Sequence, residues 1–148
     1  MAEKRELSVT TTIKATPSAV WVVLTDTPCY PDWDPQCDAV EGDVALGHKI
    51  RTYSTLDSGR GFRVTELVPG QRMTWESAVP LGLLRDVRTF TLRRVGEGAT
   101  ELTVRHVRSG PLLRLKSNAL PASSEALERF AEALKARSEG SALAAAAV

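Results

Sequence analysis

The sequence predicts an α+β domain in which a curved antiparallel sheet of six or seven strands wraps around a long C-terminal helix. Runs of alternating apolar and polar residues, typical of half-buried strands, fill most of the chain up to residue 108. Short turns rich in glycine and proline separate these runs, and connections this short join antiparallel neighbours. After residue 110 the apolar spacing changes to the i, i+3, i+4 period of an amphipathic helix.

The first part of the chain predicts a strand and a short helix. Apolar and β-branched residues alternate over Arg5–Ile13, which indicates a half-buried strand. Thr16 followed by Pro17 is a helix start, because the hydroxyl caps the first turn and proline suits the first helical position. Apolar spacing over Val20–Leu24 gives about two helical turns. Prolines then end the helix and leave a stiff aromatic connector over Tyr30–Pro35.

The middle of the chain predicts a meander of hairpins. Its strands follow one another with no helical pattern between them, so each is expected to pair with the next. They are predicted at about Gln36–Glu41 (short), His48–Thr55, Gly61–Val68, Gln71–Val79, Leu84–Arg94 and Ala99–Arg108.

Two helical patterns close the sequence. Gly110-Pro111 opens the first, and Pro121 must kink or break it because a proline ring clashes with the preceding turn. The second, around Leu127–Leu134, is the strongest helical pattern in the chain and is expected to end near Ser138–Gly140. Residues 141–148 are small and predict a flexible tail.

Composition indicates one globular domain, over residues 1–140. The chain has 148 residues, of which 43% are hydrophobic, enough for a core that needs neither metal nor disulfide. Cys29 and Cys37 show no CxxC or zinc spacing and are expected to be reduced thiols. No apolar stretch is long enough to span a bilayer, and the first residues show no secretory signal pattern, so a cytoplasmic location is expected.

The formal net charge of +1 gives no global attraction to nucleic acid or to an anionic membrane. Residues 82–116, however, carry eight Lys and Arg against three Asp and Glu. This segment is either a docking face, as in a chaperone- or ribosome-interacting module, or a strand pair with an arginine-rich solvent side. The second interpretation is simpler, because alternation in a strand exposes every second residue.

Short motifs occur in order along nearly the whole chain. They are Ala15-Thr16-Pro17-Ser18-Ala19-Val20-Trp21, Tyr30-Pro31-Asp32-Trp33-Asp34-Pro35, Leu67-Val68-Pro69-Gly70 with Met73-Thr74-Trp75, Arg88-Thr89-Phe90-Thr91-Leu92, Gly98-Ala99-Thr100-Glu101-Leu102, Ser109-Gly110-Pro111-Leu112, and Leu120-Pro121-Ala122-Ser123 with Phe130-Ala131 and Leu134-Lys135. Over residues 5–139 they resemble the polyketide cyclase/dehydrase-type ligand-binding group of the START-like, or SRPBCC, superfamily. The resemblance implies a helix-grip fold with two short helices after the first strand and a hydrophobic cavity between sheet and C-terminal helix.

The resemblance says less about activity, because this fold serves lipid carriers, hormone receptors, aromatase/cyclases, ubiquinone-binding proteins and chaperone activators. Three positions depart from the relatives' usual pattern. Arg88 stands where histidine is frequent, His106 where glutamate is frequent, and Arg108 where an aromatic residue is usual. Function must therefore be argued from the cavity itself.

A polar group is predicted inside the cavity. Alternation places Asp86 and Arg88 on the same face as the apolar residues of their strand, and His106 and Arg108 likewise on the next strand. All four fall near the end of the sheet where the chain enters the C-terminal helix. An arginine there would grip a carboxylate or phenolate, and His106 would shuttle a proton. The alternative is an Asp86–Arg88 pair at the solvated rim, with His106 a satisfied core histidine.

The remaining lining residues follow from the same alternation. Trp33 and Trp75 would either stack on a planar ligand or belong to the core. The predicted ligand-binding set is Trp33, Ile50, Thr52, Phe62, Val64, Met73, Trp75, Arg88, Phe90, Val104, His106, Arg108, Phe130 and Leu134.

Common catalytic signatures do not occur in the sequence, which has no G-x-S-x-G, H-E-x-x-H or phosphate-binding glycine loop. His48 and His106 are the two histidines, so no histidine-rich metal centre and no cofactor is predicted. The leading hypothesis is binding of a small hydrophobic or amphipathic ligand, lipid or polyketide-like, by a monomer or homodimer. The alternative is a polyketide cyclase, aromatase or dehydratase with His106, Arg88 and Asp86 as the catalytic candidates, of which His106 would serve as the acid–base group and Arg88 as the oxyanion group. No nucleic-acid partner is expected.

Overall fold

The computed structural model describes residues 4–54, 58–111 and 124–146. Its strands are β1 (Lys4–Ile13), β2 (Ala39–Glu41), β3 (Lys49–Tyr53), β4 (Ser58–Val68), β5 (Arg72–Val79), β6 (Leu84–Gly96) and β7 (Ala99–Ser109). Its helices are α1 (Pro17–Thr25), α2 (Tyr30–Trp33) and α3 (Ser124–Ala146), with single 3₁₀ turns at Thr27–Cys29 and Pro80–Gly82.

The strands form a single seven-stranded antiparallel sheet in the order β1-β7-β6-β5-β4-β3-β2. From β2 to β7 each strand pairs with the next, and β1 pairs with β7 along its whole length. The predicted meander, the two short helices after the first strand and the long C-terminal helix are confirmed.

The start of α1 follows the sequence signal. Thr16 accepts a hydrogen bond from the Ala19 amide at 3.2 Å, and Pro17 is the first helical residue. The aromatic connector, in contrast, is partly helical, because Tyr30–Trp33 close one tight turn. The Tyr30 hydroxyl donates to the Leu24 carbonyl at 2.5 Å, which anchors this turn to the end of α1.

Two predicted boundaries are wrong. β4 begins at Ser58 rather than Gly61, because its pairing with β3 continues through Arg60, which lies opposite Thr52. α3 continues past Ser138–Gly140 to Ala146, since Gly140 lies within it and the residues that follow are mostly alanine, the best helix former. The predicted helix from Gly110-Pro111 to the kink at Pro121 lies outside the described residues, apart from its first two positions.

The core lies between α1 and α3 and one face of the sheet, here called the inner face. Leu127, Ala131 and Leu134 of α3 are buried there with apolar side chains from β3 to β7. α3 packs chiefly against β1 and α1. Glu139 fixes its far half, because its carboxylate accepts from the Lys14 amide at 2.9 Å.

Among the described residues, no helix is long and apolar enough to cross a membrane. Cys29 and Cys37 are both free thiols, as the sequence predicts.

The turn before β3 requires glycine, which gives a test of the fold. Gly42 has φ of +99°, and a Cβ there would lie 2.4 Å from the Lys49 carbonyl oxygen. We expect Gly42→Ala to lower the free energy of unfolding by about 2 kcal/mol or more, from backbone strain and this clash. Gly61→Ala is the matched control, because nothing lies within 4 Å of a Cβ at Gly61. Equal stability of the two variants in urea unfolding would contradict the turn geometry.

Candidate functional site

The inner face changes from charged to apolar along the strands. Cross-strand pairing aligns its residues in rows across β5, β6, β7 and β1. Starting at the end where β7 finishes, the rows are Ser77–Asp86–Arg108–Arg5, Trp75–Arg88–His106–Leu7 and Met73–Phe90–Val104–Val9. The polar residues thus lie together at the end of the sheet from which the chain continues toward α3, as the alternation predicts.

Asp86 is the centre of this polar end. Its side chain is only 1% exposed, and its Oδ2 lies 2.7 Å from Arg60 Nη2, 3.4 Å from Arg108 Nε and 3.7 Å from Arg88 Nη2. We call these four residues the arginine cluster. The predicted Asp86–Arg88 contact is therefore present, but it belongs to a larger group and is buried rather than placed at a solvated rim.

Arg60 is the member that sequence reasoning missed. It shares strand parity with Phe62 and Val64, both of which are buried on the inner face. The predicted strand begins at Gly61, so Arg60 lies just outside it and its parity is not considered. Extending the alternation one step back through the glycines would have found it.

Several buried polar atoms at this end have no hydrogen-bond partner in the described part of the chain. They are both carboxylate oxygens of Asp86, the indole Nε1 of Trp75 and the hydroxyl of Thr52. The guanidinium groups around Asp86 therefore neutralise its charge without satisfying its lone pairs. Buried polar groups in this condition are costly, about 1–3 kcal/mol each, and are uncommon in folded proteins.

A chain of aromatic rings leads from the arginine cluster to the helices. Phe62 packs near Trp75 at 6.2 Å between ring centroids, Trp75 near Phe90 at 5.3 Å, and Phe90 near Phe130 of α3 at 5.9 Å. Phe130 continues to Trp33 at 5.6 Å. At the other end the guanidinium of Arg88 lies over the Phe62 ring, 4.4 Å from its centroid. These aromatic rings thus connect the cation–π contact of Arg88 to the apolar interior.

The other predicted lining residues lie on the same face. Ile50, Val64, Met73, Val104 and Leu134 are fully buried in the core. Thr52, Trp33 and Phe130 are half-buried.

A cavity of about 320 Å³ opens beside the arginine cluster. It is lined by Arg5, Glu6, Leu7, His106 and Arg108, at the end of the sheet where β1 begins and β7 finishes. Its volume is at the lower end of the range for small-molecule sites, about 300–1,000 Å³. Arg108 of the cluster and its neighbour His106 thus face open space as well as protein.

His106 is held neutral by its surroundings. Burial, followed by the positive charges of Arg88, Arg108 and Arg60, lowers the pKa of His106 from 6.5 to about 2. His48 is exposed, immediately before β3. Within the described ranges, no group of three His, Cys, Asp or Glu residues is placed to hold a metal ion.

Three outward arginines in the described part of residues 82–116 are paired. Arg85 contacts Glu76, Arg93 contacts Glu101 at 3.1 Å, and Arg105 contacts Glu6 at 2.7 Å. Arg88 and Arg108 point inward to Asp86. This pairing favours the interpretation of the basic segment as a solvated strand face rather than a docking surface.

The family model for polyketide cyclase / dehydrase and lipid transport proteins matches residues 4–139. The chain belongs to this family. No curated protein matches the sequence. The family groups cyclase and transport functions, so membership fixes the fold and a broad class of role but not the ligand.

Solved structures with the same fold share little sequence with the chain. Norcoclaurine synthase from Thalictrum flavum, a point mutant in complex with a transition-state analogue, aligns at a TM-score of 0.72 and 11% identity, covering 93% of this chain and 96% of that one. A START superfamily protein from Mycobacterium smegmatis aligns at 0.68 and 18% identity, covering 91% and 97%. The Zhui aromatase/cyclase from Streptomyces sp. R1128 aligns at 0.65 and 18% identity, covering 95% and 94%.

Loss of the Asp86 charge should be costly. Asp86→Asn leaves three buried guanidinium groups around a neutral amide, and we expect the free energy of unfolding to fall by about 3–5 kcal/mol. Glu76→Gln is the control, because it removes a carboxylate from the exposed Arg85 pair on the opposite face and should cost less than about 1 kcal/mol. Urea unfolding of the two variants measures the difference. Similar small losses in both would show that Asp86 does not hold the cluster together.

His106 should make stability depend on pH. The pKa of His106 in the folded chain lies below 6.5, the ordinary value for histidine in an unfolded chain. Below pH 6.5 the unfolded chain therefore gains a proton that the folded chain excludes. The stability present above pH 6.5 is then lost as the pH falls toward 2, by up to about 1.4 kcal/mol per pH unit. Urea unfolding at about pH 7.5 and about pH 5.5 should show this loss in the wild type and a smaller one in His106→Gln. Parallel pH profiles would contradict a neutral His106.

Proposed function

We propose that the protein binds one small, largely hydrophobic ligand on the inner face of the sheet beneath α3, and that it does so without chemistry of its own. The observation that carries this proposal is the polarity of that face: aromatic and apolar over most of its length, charged at one end, with a cavity beside the charged end. Sites for small molecules combine a mostly apolar surface with a few converging polar groups in this way.

The aromatic chain supports a ligand with a ring or a long apolar body. Phe62, Trp75 and Phe90 present their rings in sequence along the inner face, and each ring contact contributes about 0.5–1.5 kcal/mol beyond the area it buries. A lipid or a polyketide-like molecule has the required apolar extent. The family includes lipid transport proteins, and the aromatase/cyclase of the same fold supports the polyketide-like alternative.

An enzyme that uses the same site is the alternative, and it would be a cyclase, aromatase or dehydratase. The structural relatives that are named as a synthase and an aromatase/cyclase support it. What weighs against an acid–base role for His106 is its lowered pKa, because an imidazole that resists protonation is a weak base near neutral pH. We therefore propose binding as the function. A cytoplasmic location and a monomeric or homodimeric state stay predictions.

Two tryptophan variants test the proposal, one that fills the cavity and one that serves as its control. Leu7 lines the cavity from the inner face of β1, whereas Ser8, the next residue, is exposed on the other face. The probe is N-phenyl-1-naphthylamine, a neutral dye that fluoresces in apolar sites and can be excited outside the tryptophan band. We expect saturable one-site binding to the wild type, at least tenfold weaker binding to Leu7→Trp, and unchanged binding to Ser8→Trp.

The control separates filling of the cavity from a general effect of an added indole on this edge strand. Equal affinity of the dye for both variants and the wild type would contradict a site beside Leu7. No saturable binding to the wild type would overturn the proposed function.

A further inference from the structure

We propose that the arginine cluster is a subsite for a carboxylate or phenolate group carried by the ligand, so that the protein selects an organic anion rather than a neutral lipid. This inference rests on the proposed function and specifies the chemical class of the ligand. The four residues of the cluster come from β4, β6 and β7, three strands that the sheet already fixes relative to one another.

The first argument is formal charge. Within the described part of the chain, three guanidinium groups approach one carboxylate oxygen, that of Asp86. The side chains of Arg60, Arg88 and Arg108 are 15%, 16% and 6% exposed, so water screens their charge only weakly. Glu6 lines the adjacent cavity, but its carboxylate is paired with Arg105 on the outer face. Counted over the described residues alone, the cluster therefore carries three positive formal charges against one negative charge.

The second argument is independent of charge and concerns hydrogen-bond donors. Trp75 is 2% exposed, and its Nε1 has no acceptor in the described ranges; the same holds for the buried hydroxyl of Thr52. Trp75 lies directly across from Arg88 in the sheet, and Thr52 directly across from Arg60. Donors thus stand beside the guanidinium groups on two pairs of strands. An anionic oxygen bound among them would recover hydrogen bonds that the ligand-free site forgoes.

The third argument concerns the shape of the ligand. Phe62 lies beneath both Arg60 and Arg88, whose guanidinium carbons are 5.4 and 4.4 Å from its ring centroid. Stacking of this kind holds a guanidinium flat, and a planar guanidinium matches the planar geometry of a carboxylate. From there the aromatic chain continues to Phe90. A ligand with its anionic group at the cluster would lay its apolar body along these rings.

His106 provides a natural reporter of occupancy. It faces Arg88 on β6, Arg108 on β7, Arg60 on β4 and, across the cavity, Arg5 and Glu6 on β1. The positive charges that lower the pKa of His106 are the ones that would attract an anion. An anion bound at the cluster offsets them, so the pKa of His106 must rise on binding. A neutral ligand in the same position leaves this field unchanged.

The experiment compares each acid with its neutral amide. The probes are 2-naphthoate against 2-naphthamide and decanoate against decanamide, titrated by calorimetry into the full-length protein at neutral pH. We expect at least one acid to bind tenfold or more tightly than its amide. The preference should fall to threefold or less in Arg88→Gln and in Arg60→Gln. Arg85→Gln should keep it, because Arg85 lies on the same strand but pairs with Glu76 on the outer face.

Each outcome has a distinct meaning. Amides that bind as tightly as the acids would overturn the anion subsite and leave the proposed function standing. No binding of either member of either pair would count against the proposed function itself. A preference that survives both inner-face variants would place the anion elsewhere.

A second measurement needs no variant and so does not depend on variants that fold. His106 is followed by NMR in the wild type, free and saturated with the tighter acid or with its amide. A rise in the pKa of His106 with the acid and no change with the amide supports the subsite. No change with the bound acid overturns it.

Discussion

The inner face depends on one buried carboxylate. Asp86 is almost completely excluded from solvent, and it is the acidic group that holds three guanidinium groups at the same end of the sheet. Burying four charges is expensive, and an apolar cluster of the same volume would often be as stable or more so. A group of this kind is therefore better explained by what it can bind than by what it contributes to stability. Trp75 and Thr52 lie across from Arg88 and Arg60, and each has a buried polar atom without a partner among the described residues, which points the same way.

The fold makes this arrangement possible because an antiparallel meander brings sequence-distant residues into rows. Arg60, Asp86 and Arg108 belong to β4, β6 and β7, and strand pairing alone sets the distances between them. α3 then covers the apolar rows, through Phe130 against Phe90, while the charged row lies at the end of the sheet. The register between strands thus determines which end of the inner face is charged and which part α3 covers. A shift of one residue in any of these strands would turn the charged side chains to the opposite face.

Much of the fold and of the polar end of the inner face could be predicted from the sequence, because both depend on the alternation of side chains along strands. The parity of Asp86, Arg88, His106 and Arg108 alone predicts that they lie together. The two wrong boundaries, the start of β4 and the end of α3, depend on their surroundings, which the periodicity of the sequence does not show. Arg60 follows Ser58 and Gly59, residues typical of turns, and this conceals that pairing with β3 continues through all three. The predicted end of α3 is too early, because Gly140 resembles a helix stop in isolation but lies inside a helix that continues into alanine. Which charges cluster around Asp86 could not be known without the register between strands.

The most direct test of a charged end that receives the polar group of a ligand is a crystal structure of the protein grown with 2-naphthoate. The account predicts that the carboxylate lies within about 3 Å of guanidinium nitrogens of the arginine cluster, with the rings packed along Trp75 and Phe90. A naphthoate bound in the opposite direction, with its carboxylate in solvent, would contradict the account. So would an interior filled by side chains at the density of an ordinary core, with no ligand inside.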